Sequence, residues 1–212
     1  MAQLFKLRMM ARSQVTNLRH PEAFTLLELL IVMTIIIILA GITFATMGYV
    51  NNKARRSRAE AEIAAISAAL ENYKADNGTY PSTTNTVSLT ATGPVDNDSK
   101  TGTYAKATLD LYELITGDTA HDGSLPTGAK SYMQFKPTML GPEGRKAPPT
   151  ASNKVTSIMD PFGHSYGYST AKNPDVNPTG AASASGYNPT FDLWSVANAD
   201  PNTDQKQWIK NW

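Results

Sequence analysis

Apolar residues fill positions 24 to 44, FTLLELLIVMTIIIILAGITF, and the one ionisable side chain among them, Glu28, falls in what would be the first turn. As a helix rising ~1.5 Å per residue, the run is roughly 31 Å long, the thickness of a bilayer's hydrocarbon core, and can span a membrane. Beyond it the pattern becomes periodic. Ile63, Ile66, Leu70 and Tyr73 step by three and four, which marks one face of an amphipathic helix. No proline falls between Phe24 and Asp76, so the pattern predicts one continuous helix of about 53 residues, roughly 80 Å long. Asn77-Gly78 supplies its end, because glycine tolerates the left-handed conformation that closes a helix.

The second half is less regular. Residues 82 to 105 are rich in Thr, Gly, Asn and Asp and read as a long loop or insertion. Leu109, Leu111, Tyr112, Leu114 and Ile115 predict a short amphipathic helix ending at Gly117. Residues 116 to 155 carry several prolines and glycines and read mostly as loop, with Tyr132 to Phe135 a candidate short strand. Tyr166 and Tyr168 alternate after a Pro-Gly turn, as in a half-buried strand, and TFDLWSV at 190 to 196 reads as a second. An antiparallel pair of these two would cover the apolar face of the long helix.

Composition adds boundaries. Residues 1 to 23 form a basic leader, 24 to 44 a membrane span and 45 to 76 its amphipathic continuation; 77 to 212 form one small globular domain with a modest core. Met9 and Met10 are alternative starts to Met1. The apolar run is too long for the core of a secretory signal peptide. The leader carries Lys6, Arg8, Arg12 and Arg19 against Glu22, leaving fifteen basic and seventeen acidic side chains in the remainder. No basic face points to nucleic acid. Absence of cysteine excludes disulfides and thiolate chemistry. Lys53, Arg55, Arg56 and Arg58 equal the leader's four basic residues, so the positive-inside rule alone does not orient the span. No HExxH, GxSxG or phosphate-loop motif accompanies His20, His121 and His164, and His164 reads as a turn side chain.

Two readings of Glu28 follow from its position. Thr25-x-x-Glu28 is a capping box, in which the Thr25 hydroxyl meets the amide of residue 28 and the carboxylate returns to the helix start. Alternatively, the acid is matched to a positive charge created when the chain is cut just before Phe24. Gly41, Ala45 and Gly48, four and three apart, are either a face for close helix approach or the small residues common in membrane helices.

AFTLLELLIVM behind a basic leader resembles the amino-terminal signature of type IV pilins and type II secretion pseudopilins. NGTYP at 77 to 81, DPFGHSYGYS at 160 to 169, FDLWS at 191 to 195 and the closing Ile209-x-Asn211-Trp212 are similar, in order, to stretches of the major pseudopilins of type II secretion. The resemblance implies a pilin-like α+β fold: a long amino-terminal helix, transmembrane in its first half, packed on a small antiparallel β-sheet with long loops. It implies cleavage between Ala23 and Phe24 by a prepilin peptidase, methylation of the Phe24 amine, and pairing of Glu28 with the Phe24 amine of a neighbour. It further implies self-association into a filament with other pseudopilins, served by an inner-membrane secretion platform and its ATPase. The leader would lie in the cytoplasm and the globular domain in the periplasm, with no enzymatic role. Two departures stand out: Ala23 replaces the usual Gly before the cut, and Ala45 occupies a position where pilin-like chains often have Pro, so no kink is expected there. The same anchor would also serve a minor pseudopilin, a type IV pilin, or an unprocessed tethered module that binds a ligand or catalyses a reaction.

NADPNTDQ at 198 to 205 spaces hard oxygen donors through a turn, which suits calcium as well as a solvated loop. In the pseudopilins it resembles, this loop binds calcium. The resemblance implies ligand roles for Asp200 and Asp204 and for the carbonyls of Leu193 and Ser195. Asp200-Pro201 departs from the Asp-Gly usual there.

Overall fold

A computed structural model describes residues 24–91, 102–142, 145–182, 184, 186–198 and 205–212. The chain divides into two units, residues 1–47 and 48–212. Helix α1, Leu26–Asn77, is 52 residues long and runs through Ala45 without a break. Gly78, at φ 81°, closes it by donating to the Lys74 carbonyl at 2.8 Å. In the first unit every described side chain from Phe24 to Met47 is exposed except Ala40, which is half-buried. No described residue covers this apolar surface. Thr34, Thr43 and Thr46 satisfy their hydroxyls on carbonyls one turn back, at 2.7 to 3.2 Å, so the span presents no free hydroxyl donor.

In the second unit, burial along α1 begins at Ala59 and follows the predicted stripe through Ile63, Ile66 and Leu70; Tyr73 is half-buried. These residues share one core with Leu111 and Ile115 of α3 (Thr103–Thr116) and with Tyr166, Tyr168 and Leu193. Strands β1 (Gly167–Ser169), β2 (Asp192–Ser195) and β3 (Ile209–Lys210) form an antiparallel sheet in that order. Gly167 pairs with Trp194, Tyr168 with Leu193, and Ser195 with Ile209. The architecture is the pilin-like α+β arrangement expected from the sequence.

The sheet departs from expectation in being buried on both faces. One face meets the α1 core. Against the other, Trp194 stacks on Trp208 at 6.0 Å and meets Tyr104 edge-on, with Leu89 and Val196 completing a second apolar cluster. The strand read as half-buried is therefore buried at every residue, Gly167 and Ser169 as well as Tyr168. Gly167 makes this possible, because a Cβ there would stand 2.1 Å from the Trp194 indole.

Within the stretch read as a loop from 82 to 105, residues 84–88 and 103–105 are helical, and residues 92–101 lie outside the described residues. Helix α2, Thr84–Ser88, starts from a capping box in which Thr83 and Thr86 exchange backbone-to-hydroxyl bonds. The Thr83 hydroxyl and Asn85 amide both donate to Asp110 of α3, at 2.5 and 2.8 Å. Helix α3 ends at Gly117 as predicted, with φ 76°, but begins at Thr103, earlier than its apolar periodicity indicated. Tyr132 to Phe135 do not form a strand. Tyr132 meets Tyr73 edge-on and Phe135 packs beside Tyr112, so this segment is held by its aromatic side chains; the Tyr132 N–H reaches the Ile115 carbonyl rather than a strand.

Candidate assembly site

The amino-terminal end of α1 carries the only carboxylate of the apolar run. Glu28 Oε2 accepts from the Thr25 N–H and the Thr25 hydroxyl, both at 3.0 Å, while the Glu28 N–H donates to the Thr25 hydroxyl at 3.2 Å. This is the capping box read from the sequence. It satisfies amide donors that a helix start leaves open, and it sets an acid at the positive end of the helix dipole. Oε1 has no partner among the described residues. Cutting the chain before Phe24 would leave these bonds intact, since the Thr25 nitrogen remains an amide. Local capping therefore engages one oxygen of the carboxylate and leaves the other open. Phe24 is exposed beside it, and Ala23 lies outside the described residues.

In the second unit, an acid that the sequence reading passed over anchors α1. Glu62 is buried within the apolar stripe; its Oε1 meets Arg58 Nε at 2.7 Å, and its Oε2 accepts from the Tyr166 hydroxyl at 2.8 Å. Its place one residue before Ile63 and four before Ile66 was the available signal. Asp160 is a second buried acid. Ser195 donates to Oδ2 at 2.5 Å, and the N–H groups of Phe162 and His164 donate to Oδ1 at 2.9 Å. Burial pushes its carboxyl up, against the hydrogen bonds from Ser195 and His164 that favour ionisation. His164 contributes its backbone to this turn, in keeping with its reading as a turn residue.

Of the residues expected to hold calcium, Leu193 and Ser195 lie in the central strand. The Leu193 carbonyl accepts from the Asn211 N–H at 3.1 Å, which leaves it one lone pair. Asp200 and Asp204 lie outside the described residues. The structure brings Leu193 and Ser195 together with the chain end; neither is near the Thr25 and Glu28 site in sequence, and the two features belong to different units.

Comparison with known proteins adds a family to this geometry. Residues 19–44 match the model of the prokaryotic N-terminal methylation motif, and residues 46–114 match that of type II secretion system protein G. The chain is similar to type II secretion system core protein G of Pectobacterium carotovorum subsp. carotovorum, 37% identical over 34% of this chain and 47% of the relative. Against the Pseudomonas aeruginosa protein of the same name the identity is 40%, over 31% and 46% of the two chains. For Vibrio cholerae it is 33%, over 40% and 58%. The chain thus spans about half the length of the curated relatives it matches. No solved structure matches it. The cap, the uncovered apolar helix and the two adjoining matches agree, and over residues 19 to 114 the chain is similar to the type II secretion system protein G family behind a prokaryotic N-terminal methylation motif.

Proposed function

We propose that this chain is a structural subunit of a periplasmic pseudopilus that drives type II protein secretion. The observation that carries this reading is the Glu28 carboxylate, half engaged by Thr25 and half open, at the head of an apolar helix with no cover of its own. Prepilin peptidase removes the leader between Ala23 and Phe24, and the new Phe24 amine is methylated. In the bilayer the subunit is a single-pass inner-membrane protein with its second unit in the periplasm. Helices of successive subunits pack in the filament core, where Glu28 Oε1 meets the Phe24 amine of a neighbour. An unpaired carboxylate among apolar helices is costly and a paired one tolerated, so the contact favours correct docking over unspecific aggregation. Other pseudopilins complete the filament, and ATP hydrolysis belongs to the partner ATPase at the inner-membrane platform. The subunit itself is not an enzyme.

Intact-mass measurement of membrane-extracted protein should find a chain starting at methylated Phe24. The Glu28→Val variant should insert normally and fail to yield cross-linked ladders. An uncut monomer would leave only a tethered module, and normal filaments from Glu28→Val would refute the pairing.

On the same reading, the loop at 198 to 205 takes a calcium ion through Asp200 and Asp204, with the remaining lone pairs of the Leu193 and Ser195 carbonyls. The donor set is all oxygen, which is what calcium takes. Calcium should raise the melting temperature of the wild type and not that of Asp200→Ala/Asp204→Ala; equal responses would remove the ion from the account.

A further inference from the structure

Four basic residues close the apolar run, and the fold accounts for two of them. Arg56 Nη1 donates to the Gln207 carbonyl at 2.8 Å. Arg58 holds Glu62 and also donates to the Thr138 hydroxyl at 2.9 Å. Lys53 and Arg55 have no partner among the described residues. Arg55 nevertheless borders a cavity of about 200 Å³, shared with Arg58, Thr138 and the turn from Asp160 to Gly163. Two carboxylates stand near these guanidinium groups, and both are already engaged: Glu62 by Arg58 and Tyr166, Asp160 by Ser195 and two backbone N–H groups. Arg55 is the guanidinium at the cavity that neither of these carboxylates, nor any other described residue, engages.

Depth along the helix says which anion meets it. From Phe24 to Lys53 a helix rises ~44 Å at ~1.5 Å per residue, the thickness of a bilayer including its headgroups. With Phe24 at one headgroup layer, residues 53 to 55 reach the other. Tyr49, an exposed aromatic residue one turn earlier, falls where aromatic side chains gather at the membrane interface. A guanidinium fork matches the oxygens of a phosphate.

We propose that the cavity bordered by Arg55 and Arg58 receives the phosphate of an anionic phospholipid from the leaflet in which α1 emerges. The inference rests on the membrane-anchored reading of the helix. It gives the basic residues on the far side of the span a use that topology alone does not supply.

The test is the full-length processed chain purified from vesicles of equal parts phosphatidylglycerol and phosphatidylcholine, with retained lipids counted by native mass spectrometry. The wild type should retain phosphatidylglycerol preferentially. Arg55→Gln should lower that preference about fivefold, the weight of one basic residue at an anionic surface, with an unchanged melting temperature, and Arg55→Lys should restore part of it. Equal retention of both lipids by an inserted wild type would overturn the inference and leave the anchor standing, whereas failure to insert would overturn both. Inorganic phosphate stabilising the wild type, but not Arg55→Gln, without lipid retention would overturn the lipid source.

Discussion

Gly167 sits opposite Trp194 in the sheet, and its missing side chain is where the indole lies. Backbone freedom is not the reason for glycine here, since the position is ordinary strand; space is. Gly167→Ala should destabilise the second unit by ~2–3 kcal/mol, the usual cost of forcing extra volume into a packed core. Urea denaturation followed by tryptophan fluorescence would measure it, and a loss below a few tenths would mean that the indole has room to shift. Tyr168, on the opposite face, was legible as a strand residue from alternation. The burial of its neighbours Gly167 and Ser169 was not, because alternation describes a sheet with one wet face, and here the second face is covered by Tyr104, Trp194 and Trp208, which are remote in sequence.

Among the elements, α1 is held to the sheet by a polar contact inside an apolar stripe. Glu62 receives hydrogen bonds from Arg58 on its own helix and from Tyr166 just before β1. Tyr166→Phe removes a donor from a buried carboxylate and should cost ~1.5–3 kcal/mol, the range for hydrogen bonds to charged groups. If Glu62→Gln/Tyr166→Phe loses as much as the sum of its parts in a double-mutant cycle, the two side chains are not coupled. The elements that the sequence made plain are those with local signatures: the stepping of Ile63, Ile66 and Leu70, the glycine stops at Gly78 and Gly117, and the strand at 192 to 195. Those it hid depend on distant partners. Helix α2 is only five residues long, and its cap uses Thr86 where Glu is the familiar partner; Asp110 then fastens it to α3. The segment at 132 to 135 had strand-like residues but no strand beside it.

For the whole molecule, the sequence divides between a length of apolar helix that buries nothing of its own and a body whose core opens at Ala59. A chain beginning at Gly48 should therefore stay folded and soluble, with a urea midpoint matching that of the full chain in detergent. A marked drop would show that the body draws stability from residues before it. The cap at the candidate assembly site was readable from Thr25-x-x-Glu28 because a capping box is a four-residue motif. That one oxygen remains open after capping required coordinates, since the sequence offers both uses of the acid without apportioning its two oxygens.

The threonines of the apolar helix have a mechanical consequence. Because Thr34, Thr43 and Thr46 turn their hydroxyls back onto their own carbonyls, the shaft offers no lateral latches, and parallel shafts can slide and rotate past one another with only van der Waals friction. On the proposed pairing, axial position among them would be set at a single notch near the tip, and a new rod would be drawn lengthwise until that notch engaged.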